Sequence, residues 1–422
     1  MEWKRLRSII GGSAGNLVEW YDWFAYAIFS IYFAPVFFPK GDYTSQLLGT
    51  AAIFAAGFVM RPIGAWVMGI YADRHGRKSG LALSVGLMFA GSLMIACAPT
   101  PAQAGVAAPA ILLLARLLQG LSVGGEYGAS ATYLSEMAPK SRRGFWSSFQ
   151  YATLSGGQLS AIAVAILLQG QLSEAQLSAW GWRIPFLIGA LLALGVYVLR
   201  RQLAETASFE NMPADRPPSS ARALWANHRR EFILVAMLSA GGGLTSYAFT
   251  TYMQKYLINT VGFEKQTATL ILAAVLVWSF IMQPIAGLAA DRFGRKPMLL
   301  IAAGGVLLVT VPVYTALESV TTPLAAIALL LIPITLQAGY TANNAMVKAE
   351  LFPAHIRALG VALPYAVGNT LFAGTTEYVA LWFKGAGMES GFYWYVVAVV
   401  SMELIAVLLL PETRETSLIT ED

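Results

Sequence analysis

Residues 69–78 read GIYADRHGRK, and the same pattern returns at residues 287–296 as GLAADRFGRK. The two copies share Gly-x-x-x-Asp-Arg-x-Gly-Arg-Lys at an offset of 218 residues. A second pattern, Glu-x-x-Pro-x-x-x-Arg, occurs at 136–143 and again at 350–357, at an offset of 214 residues. Two separate patterns at nearly equal offsets indicate that the chain is built from two similar halves.

The composition is typical of a membrane protein. Of the 422 residues, 57% are hydrophobic and only 12% are charged, whereas soluble domains carry about 25% charged residues. A helix needs about 20 mostly apolar residues to cross a bilayer. Twelve such runs fit the sequence, at 9–34, 47–71, 79–98, 108–136, 144–170, 183–199, 231–256, 268–290, 297–316, 323–350, 356–382 and 390–410.

These runs predict an all-α membrane protein with twelve transmembrane helices in two pseudo-symmetric six-helix bundles. The N-terminal bundle is expected at 1–199 and the C-terminal bundle, with a short cytoplasmic tail, at 231–422. Between them, 200–230 is the one long polar stretch, which we interpret as a cytoplasmic linker.

The Lys and Arg residues predict the orientation. If the N-terminus is cytoplasmic, 20 of the 28 lie on the cytoplasmic side and five on the opposite side, as the positive-inside rule requires. The other three, Arg61, Arg116 and Lys348, fall within helices. Both termini are thus expected in the cytoplasm. Cations spread over many short loops are explained by topology, so we expect no nucleic-acid partner.

The duplicated patterns are expected to act as gates. Each loop combines an acid at a helix end, a tight turn that glycine permits and a run of cations. Such a loop is suited to bind the end of a neighbouring helix through ionic pairs that break as the halves move. A loop that serves only topology is the alternative, and a second copy at the equivalent position argues against it. The predicted gating residues are Gly69, Asp73, Arg74, Gly76, Arg77, Glu136, Arg143, Gly287, Asp291, Arg292, Gly294, Arg295, Glu350 and Arg357.

Longer stretches carry a family resemblance. Residues 15–22 read GNLVEWYD, 60–64 read MRPIG and 116–128 read RLLQGLSVGGEYG. Together with the duplicated loops, they resemble the metabolite:proton symporter branch of the major facilitator superfamily. Three more stretches resemble the members of that branch that carry α-ketoglutarate. They are SFQYATL at 148–154, TTYMQKYL at 250–257 and EYVAL at 377–381. The resemblance covers essentially the whole chain.

This resemblance implies a secondary active transporter that works by alternating access. It implies proton-coupled uptake of a dicarboxylate, α-ketoglutarate first, across the bacterial inner membrane by a protein that functions as a monomer. Sister proteins carry citrate, shikimate or zwitterionic osmolytes, so those cargoes remain open. The expected partners are a small organic acid, protons and the lipid bilayer.

Motifs for other kinds of chemistry do not occur in the sequence. It contains no Walker A pattern, no Cys/His cluster with metal-ligand spacing and no Gly-x-Ser-x-Gly nucleophile elbow. We therefore expect no enzyme activity, no metal and no cofactor. A membrane sensor or enzyme without transport is the remote alternative, and it predicts ligand binding without flux.

Charges inside the predicted helices indicate a binding site, because each costs roughly 2.5–3.5 kcal/mol at the bilayer centre and usually faces a cavity or a partner. Arg61 and Arg116 lie near mid-depth, and the planar fork of arginine suits the carboxylates of a dianion. For Arg61 the alternative is a structural pair with Asp22 or another acid. The other predicted substrate contacts are Tyr26, Gln119, Tyr247, Gln254, Lys255 and Asn343. Lys255 has the alternative of extending to the outer membrane interface.

Proton coupling requires a carboxylate that is desolvated and close to a cation. Glu19, Asp22 and Glu126 fit by position, with a purely structural role as the alternative for each. Glu377 and Glu403 receive less weight, because the resemblance implies that helices 11 and 12 are distant from the substrate. Protons are the expected driving ion, since a negative cell interior opposes entry of a dianion by roughly 2.3 kcal/mol per charge per 100 mV.

Overall fold

A computed structural model of the chain describes residues 2–75, 77–201, 220–353 and 356–419. Side chains are described throughout these ranges except at 2–14, 69–81, 129–130, 132–134, 136–137 and 199–201. The described part of the chain is helical and contains no β-strand. Gly76 and residues 202–219, which make up most of the predicted linker, lie outside the described residues.

Six long helices form the N-terminal half. They are α1 (Glu2–Phe37), α2 (Tyr43–His75), α3 (Arg77–Ala96), α4 (Ala107–Met137), α5 (Arg143–Gln171) and α6 (Ile184–Arg201). Two short helices, Pro101–Ala104 and Glu174–Ala179, precede α4 and α6.

Six further units form the C-terminal half, and three of them are divided. They are α7a (Arg229–Phe249), α7b (Met253–Tyr256, continued by the π-helix Leu257–Val261), α8 (Lys265–Phe293), α9 (Arg295–Glu318), α10a (Pro323–Thr341), α10b (Asn344–Glu350), α11a (Arg357–Gly368, continued by the π-helix Asn369–Ala373), α11b (Thr376–Gly385) and α12 (Glu389–Leu409). The short helices Ala221–Asn227 and Thr413–Thr416 flank this half.

Each predicted apolar run corresponds to one of these twelve units. Nine helices of the described chain are long and apolar enough to cross a bilayer. The others are α1, which carries Glu19 and Asp22, α3, whose apolar window is limited to Ala82–Ala96, and the divided α11. The predicted all-α membrane fold is confirmed.

The structure corrects the prediction in one respect. The runs at 231–256, 323–350 and 356–382 were expected to be continuous helices, and each is interrupted. Polar side chains near the interruptions bond to carbonyls one turn earlier. Thr250 Oγ1 donates to Ser246 O at 2.6 Å, and Asn369 Nδ2 donates to Tyr365 O at 2.9 Å. Such bonds compete with the helical ladder, and a search for apolar runs does not detect them.

Helix packing is repeated in the two halves. In the N-terminal half α2 packs on α4, α1 on α5 and α3 on α6, and in the C-terminal half α8 packs on α10a, α7a on α11a and α9 on α12. The halves meet where α5 packs on α8, where α2 and α4 pack on α11, and where α10b contacts α4 and α5. A site built from α1, α2, α4 and α7a therefore lies where the two halves face each other.

Glycines bring α2 and α4 into backbone contact. A Cβ on Gly120 would lie 1.8 Å from Gly57 O, and a Cβ on Gly124 would lie 2.1 Å from Arg61 O. Small residues at crossings let membrane helices approach closely. This contact places Arg61 of α2 and Arg116 of α4 beside each other.

Candidate substrate site

Two buried arginines share one aromatic contact. Arg61 is 2% exposed and Arg116 is fully buried. Their guanidinium carbons lie 4.1 Å and 3.9 Å from the centroid of the Trp23 ring on α1. Phe58 lies 3.9 Å from Arg61, and Tyr26 lies 4.7 Å from Arg116. Aromatic rings hold cations in place by cation–π attraction without neutralising them.

Both arginines keep unused hydrogen-bond donors. The Nε and Nη2 atoms of Arg61 and of Arg116 have no partner among the described residues. Neither guanidinium forms an ion pair with a carboxylate of the described chain, so the structural pair considered for Arg61 is not found. Buried donors are normally satisfied. Four unused nitrogens in planar forks therefore mark a place for an external acceptor such as a carboxylate.

Asp22 is connected to Arg116 through one amide. Arg116 Nη1 donates to Gln119 Oε1 at 2.7 Å, and Gln119 Nε2 donates to Asp22 Oδ2 at 3.0 Å. Ser92 also donates to Asp22 Oδ2, while Oδ1 has no partner in the described chain. A change in the charge of Asp22 is therefore transmitted to Arg116 through Gln119.

A small cavity of about 40 Å³ lies between the two halves. Ligand pockets usually measure about 300–1,000 Å³, so this cavity is well below the usual volume of a ligand site. Its polar lining includes Tyr151 and Gln158 on α5, Tyr247 on α7a, Gln337 on α10a, Tyr365 on α11a and Asn369. The arginines lie behind this space, because Trp20 lines the cavity and its ring centroid is 5.4 Å from the Arg61 guanidinium.

On one side of the cavity, α5 and α8 hold the halves together. The carboxylate of Asp291 accepts hydrogen bonds from the backbone N–H groups of Gly144 and Phe145, at 2.7 Å and 3.0 Å. It thereby satisfies free donors at the N-terminus of α5. A Cβ on Gly287 would lie 2.5 Å from Gly144 O, so the two backbones touch.

Ion pairs surround this contact. Glu350 lies 3.5 Å from Arg143 Nη1 of the other half and 3.7 Å from Arg295 Nη2. Gly294 joins α8 to α9 with a φ of 102°, which a side chain would strain. Arg357 donates to backbone oxygens, among them Leu418 O at 2.8 Å. The second copy of the repeated loop thus contacts the end of a neighbouring helix.

Among the remaining predicted gating residues, Arg292 is the one whose side chain the structure describes, and it makes no comparable contact. Arg292 is exposed and lies 5.5 Å from the Phe293 ring. The first copy of the loop cannot be compared, because the side chains of Asp73, Arg74, Arg77 and Glu136 are not among those described, nor is the surrounding of Gly69, and Gly76 lies outside the described residues. Their gating role stays a prediction.

The two halves also contact each other on the opposite side of the cavity. Lys255 on α7b donates to Glu377 Oε2 on α11b at 3.0 Å and to Ala27 O on α1 at 2.8 Å. Asn259 donates to Thr44 Oγ1 at 3.0 Å, again across the halves. Contacts between the two halves are therefore present on both sides of the central cavity.

The predicted substrate contacts fall into two groups. Tyr26, Gln119 and Tyr247 surround the arginines, since Tyr247 lines the cavity and its hydroxyl accepts a hydrogen bond from Trp23 Nε1 at 3.2 Å. Gln254 instead bonds to Thr269 Oγ1 at 3.1 Å, and Asn343 to Gly339 O at 2.9 Å. Lys255 is fully buried and does not extend to the membrane interface.

The three predicted proton carriers are all buried. Asp22 belongs to the arginine network, as described above. Glu19 Oε1 accepts hydrogen bonds from Ser84 Oγ at 3.3 Å and from Ser122 Oγ at 3.1 Å. Glu126 is on α4 beside the α2–α4 contact. Their coupling roles stay predictions.

Sequence reasoning missed several residues of the cavity wall. Tyr151, Gln337, Tyr365 and Asn369 are uncharged, so a search for charges inside helices did not detect them. Tyr151 lies within the stretch 148–154 that carried the family resemblance, which was the available signal. Lys348 was counted as a helix-interior cation without a role. It is buried, donates to Asn344 Oδ1 at 2.9 Å and lies 4.3 Å from the Tyr365 ring.

The comparisons with known proteins all point to one family of membrane transporters. The sequence profile of the Major Facilitator Superfamily matches residues 21–376. The chain is 50% identical to the alpha-ketoglutarate permease of Escherichia coli strain K12, over 96% of this chain and 94% of that protein. It is 32% identical to a citrate-proton symporter of Klebsiella pneumoniae, over 89% of this chain and 85% of that protein.

Two further matches are a transporter named for other substrates and a solved structure. A glycine betaine/proline/ectoine/pipecolic acid transporter of Dickeya dadantii is 32% identical, over 98% of this chain and 85% of that protein. Among solved structures, the E. coli xylose transporter in a partially occluded inward-open conformation matches with a TM-score of 0.75 at 20% identity, over 96% of this chain and 97% of that one. At that identity the structural match supports the fold alone.

Proposed function

The chain belongs to the Major Facilitator Superfamily and is a multi-pass membrane transporter, and on this premise we propose that it is a proton-coupled symporter for a dicarboxylate, α-ketoglutarate first. One observation carries the proposal. Arg61 and Arg116 are buried beside each other, and each has two nitrogens without a hydrogen-bond partner in the described chain. The 50% identical relative is named for α-ketoglutarate, which has two carboxylates.

The two forks fit a dianion better than a monoanion. Each guanidinium offers two donors in one plane, the geometry that a carboxylate accepts. Both guanidinium groups lie against the Trp23 ring, so the two carboxylates of one small dianion can each bind one fork. Tyr247 of the other half lies beside the arginine site, where its hydroxyl accepts a hydrogen bond from Trp23. Substrate binding therefore depends on both halves.

Coupling to protons follows from charge. A dianion that enters a negative interior needs accompanying positive charge, at roughly 2.3 kcal/mol per charge per 100 mV. Asp22 is the favoured proton carrier because Gln119 links it to Arg116. An anion on Arg116 makes a second negative charge at Asp22 unfavourable, which favours its protonation when substrate binds.

The betaine transporter match raises a second cargo class, and the aromatic residues around Trp23 are the observation in its favour. Quaternary ammonium groups bind in aromatic cages. Here, however, Trp23 and Phe58 are already in contact with Arg61, and Trp23 also with Arg116. The cage therefore holds the protein's own cations, which repel a cationic headgroup and attract an anion.

The proposed topology completes this picture. We place the N-terminal bundle at 1–199, the cytoplasmic linker at 200–230 and the C-terminal bundle at 231–422, with both termini in the cytoplasm of a bacterial cell. The asymmetry of Lys and Arg supports this orientation. We further propose that the protein functions as a monomer, because every residue of the candidate site belongs to one chain.

Uptake by proteoliposomes tests the function. Purified protein is reconstituted with an acidic exterior, and uptake of labelled α-ketoglutarate is compared with uptake at equal pH on both sides. Concentrative uptake that depends on the gradient is expected. Competition by unlabelled citrate, shikimate or betaine identifies another cargo. Binding without flux supports a sensor instead, and flux that ignores the gradient rejects proton coupling.

Single substitutions separate the cargo classes. Arg61→Gln and Arg116→Gln each remove one fork, and a dicarboxylate is expected to lose affinity with either change. A zwitterion with one carboxylate loses affinity with only one of them. Arg222→Gln, in the exposed short helix that precedes α7a, is the matched control and should transport like wild type.

A further inference from the structure

Lys255 and Glu377 form a buried ion pair between two interrupted helices. Lys255 is fully buried and Glu377 is 4% exposed, with Nζ and Oε2 3.0 Å apart. Lys255 follows the break between α7a and α7b, and Glu377 follows the π-helix Asn369–Ala373. π-Helical segments occur frequently at functional sites. Both partners thus lie on segments whose regular helix has been interrupted.

The pair is located between the two halves. Lys255 also donates to Ala27 O on α1 of the other half. Ala27 is adjacent to Tyr26, whose ring lies 4.7 Å from the Arg116 guanidinium. Tyr26 is within electrostatic range of both Arg116 and Glu377, so the ion pair lies near the arginine site.

Helix α11 is not distant from the substrate site, which corrects the reason for giving Glu377 little weight. Thr370 Oγ1 donates to Phe58 O on α2 at 2.7 Å. A Cβ on Gly374 would lie 2.4 Å from the Phe58 ring. Since Phe58 also contacts Arg61, α11 packs directly behind the arginine site.

The surroundings of Glu377 leave Lys255 as its counter-ion. In the described chain its one ion pair is with Lys255. The other titratable groups within electrostatic range are Tyr26 on α1 and Tyr252, which precedes α7b. Tyrosines carry no charge near neutral pH, since their ordinary pKa is about 10. The charge of Lys255 is thus balanced by Glu377 alone when the site is empty.

We propose that Lys255 exchanges partners during transport: in the empty carrier it pairs with Glu377, and in the loaded carrier it shares with Arg116 the substrate carboxylate bound there, while Glu377 holds a proton. This proposal rests on the proposed symport of a dicarboxylate. An ammonium group closed into the protein without a counter-ion is strongly unfavourable. The occluded state therefore forms when Glu377 is ionised and substrate is absent, or when both proton and substrate are present.

Partial loading is excluded by the same argument. A proton without substrate leaves Lys255 unpaired as the outer side closes. A substrate carboxylate without the proton places two negative groups beside one ammonium. Only the empty and the fully loaded carrier can then change sides, which is the requirement for symport.

The charge balance predicts two protons per dianion. In the empty site Arg61, Arg116 and Lys255 face the carboxylates of Asp22 and Glu377, which leaves one net positive charge. When both carboxyls are protonated and a dianion is bound, the site again has one net positive charge. Transport is then electroneutral. Glu19, held by Ser84 and Ser122, and Glu126 on α4 keep their states throughout in this proposal, so neither changes the balance.

Glu377→Gln tests the exchange of partners, because glutamine imitates the protonated carboxyl. Two fluxes are measured in proteoliposomes: exchange of labelled external for unlabelled internal α-ketoglutarate, and net uptake driven by a pH gradient. Exchange needs only the loaded carrier and should stay within about twofold of wild type, whereas net uptake should fall at least about tenfold, since the empty carrier closes over an unpaired lysine.

A matched variant controls for the loss of an ion pair. Glu389→Gln removes the Lys384–Glu389 pair, 3.1 Å long and partly exposed on the same side, and should leave both fluxes unchanged. Glu377→Asp, which keeps an ionisable group, should recover part of the net uptake. Elution volume and thermal transition in detergent establish that each variant is folded.

The outcomes separate this inference from the proposed function. A folded Glu377→Gln variant that keeps both fluxes, or loses both, overturns the exchange of partners. The retained exchange with lost net uptake supports it. A wild-type protein that moves neither α-ketoglutarate nor another organic acid overturns the proposed function and this inference together.

Discussion

The indole nitrogen of Trp23 donates a hydrogen bond of 3.2 Å to the hydroxyl of Tyr247, and this bond spans the two halves of the transporter. Trp23 is also the ring shared by the guanidinium groups of Arg61 and Arg116, while Tyr247 lines the central cavity. Closure of the cavity and placement of both cations therefore depend on the same contact.

Trp23→Phe tests this dependence. Phenylalanine keeps an aromatic face for the arginines and removes the N–H donor. Because a hydrogen bond contributes about 0.5–1.5 kcal/mol, the KM for α-ketoglutarate should rise about two- to tenfold. Initial uptake rates measure it. Trp394→Phe, at a 62% exposed position on α12, is the control, and an unchanged KM in Trp23→Phe contradicts the prediction.

Arg61→Lys and Arg116→Lys test the need for planar forks. Lysine keeps the positive charge but offers a point charge in place of two donors in one plane. If each arginine binds one carboxylate in a bidentate manner, affinity should fall by at least about tenfold in either variant, since lysine gives up one of two hydrogen bonds to a charged group, each worth about 1.5–3 kcal/mol. Thermal-shift titration with α-ketoglutarate measures the change, and full affinity in both lysine variants argues against bidentate binding.

The architecture of two similar halves and the presence of two arginines within helices could be predicted from the sequence, for physical reasons. Spanning length sets the size of each apolar run, and a charge within such a run requires a cavity or a partner. Arg61 and Arg116 are charges that lie within apolar runs long enough to span the membrane. Both copies of each repeated loop are expected on the same side of the membrane, which makes the two halves parallel repeats. A site shared by such repeats is expected between them.

Other features depend on contacts that a single sequence does not contain. Lys255 and Glu377 are 122 positions apart, and no local pattern relates them. The interruptions of α7, α10 and α11 arise where Thr250, Asn343 and Asn369 bond to their own helices, within runs that remain apolar. Uncharged residues of the cavity wall look like ordinary residues of a spanning helix.

Gly120→Ala tests the close contact of α2 and α4. The added Cβ would lie 1.8 Å from Gly57 O, so the helices must separate. Overpacking costs about 1–3 kcal/mol, and the thermal transition of the purified protein should fall by several degrees. Gly195→Ala is the matched control, because a Cβ at this position on α6 meets nothing within 4 Å. Equal transitions in the two variants would refute the proposed contact.

Asp291→Asn tests the closure between α5 and α8. The two carboxylate oxygens of Asp291 accept from Gly144 and Phe145 at the N-terminus of α5. The amide of asparagine offers one acceptor oxygen and no negative charge, and a lost N-terminal contact costs about 0.5–2 kcal/mol. The side of the repeated loops should therefore open more often.

Cysteine labelling measures that opening. Ser148 is buried on α5 where it meets α8, so Ser148→Cys in a Cys97→Ser background reports access from this side to a membrane-impermeant maleimide. The exposed Cys97 must be removed because it would react by itself. Asp291→Asn should raise the labelling rate about two- to thirtyfold, since opening becomes easier by the energy of the lost contact. Asp42→Asn changes an exposed carboxylate between α1 and α2 that accepts from Ser45 N at 2.9 Å; it should leave the rate unchanged. Equal rates in the two variants would show that Asp291 does not hold this side shut.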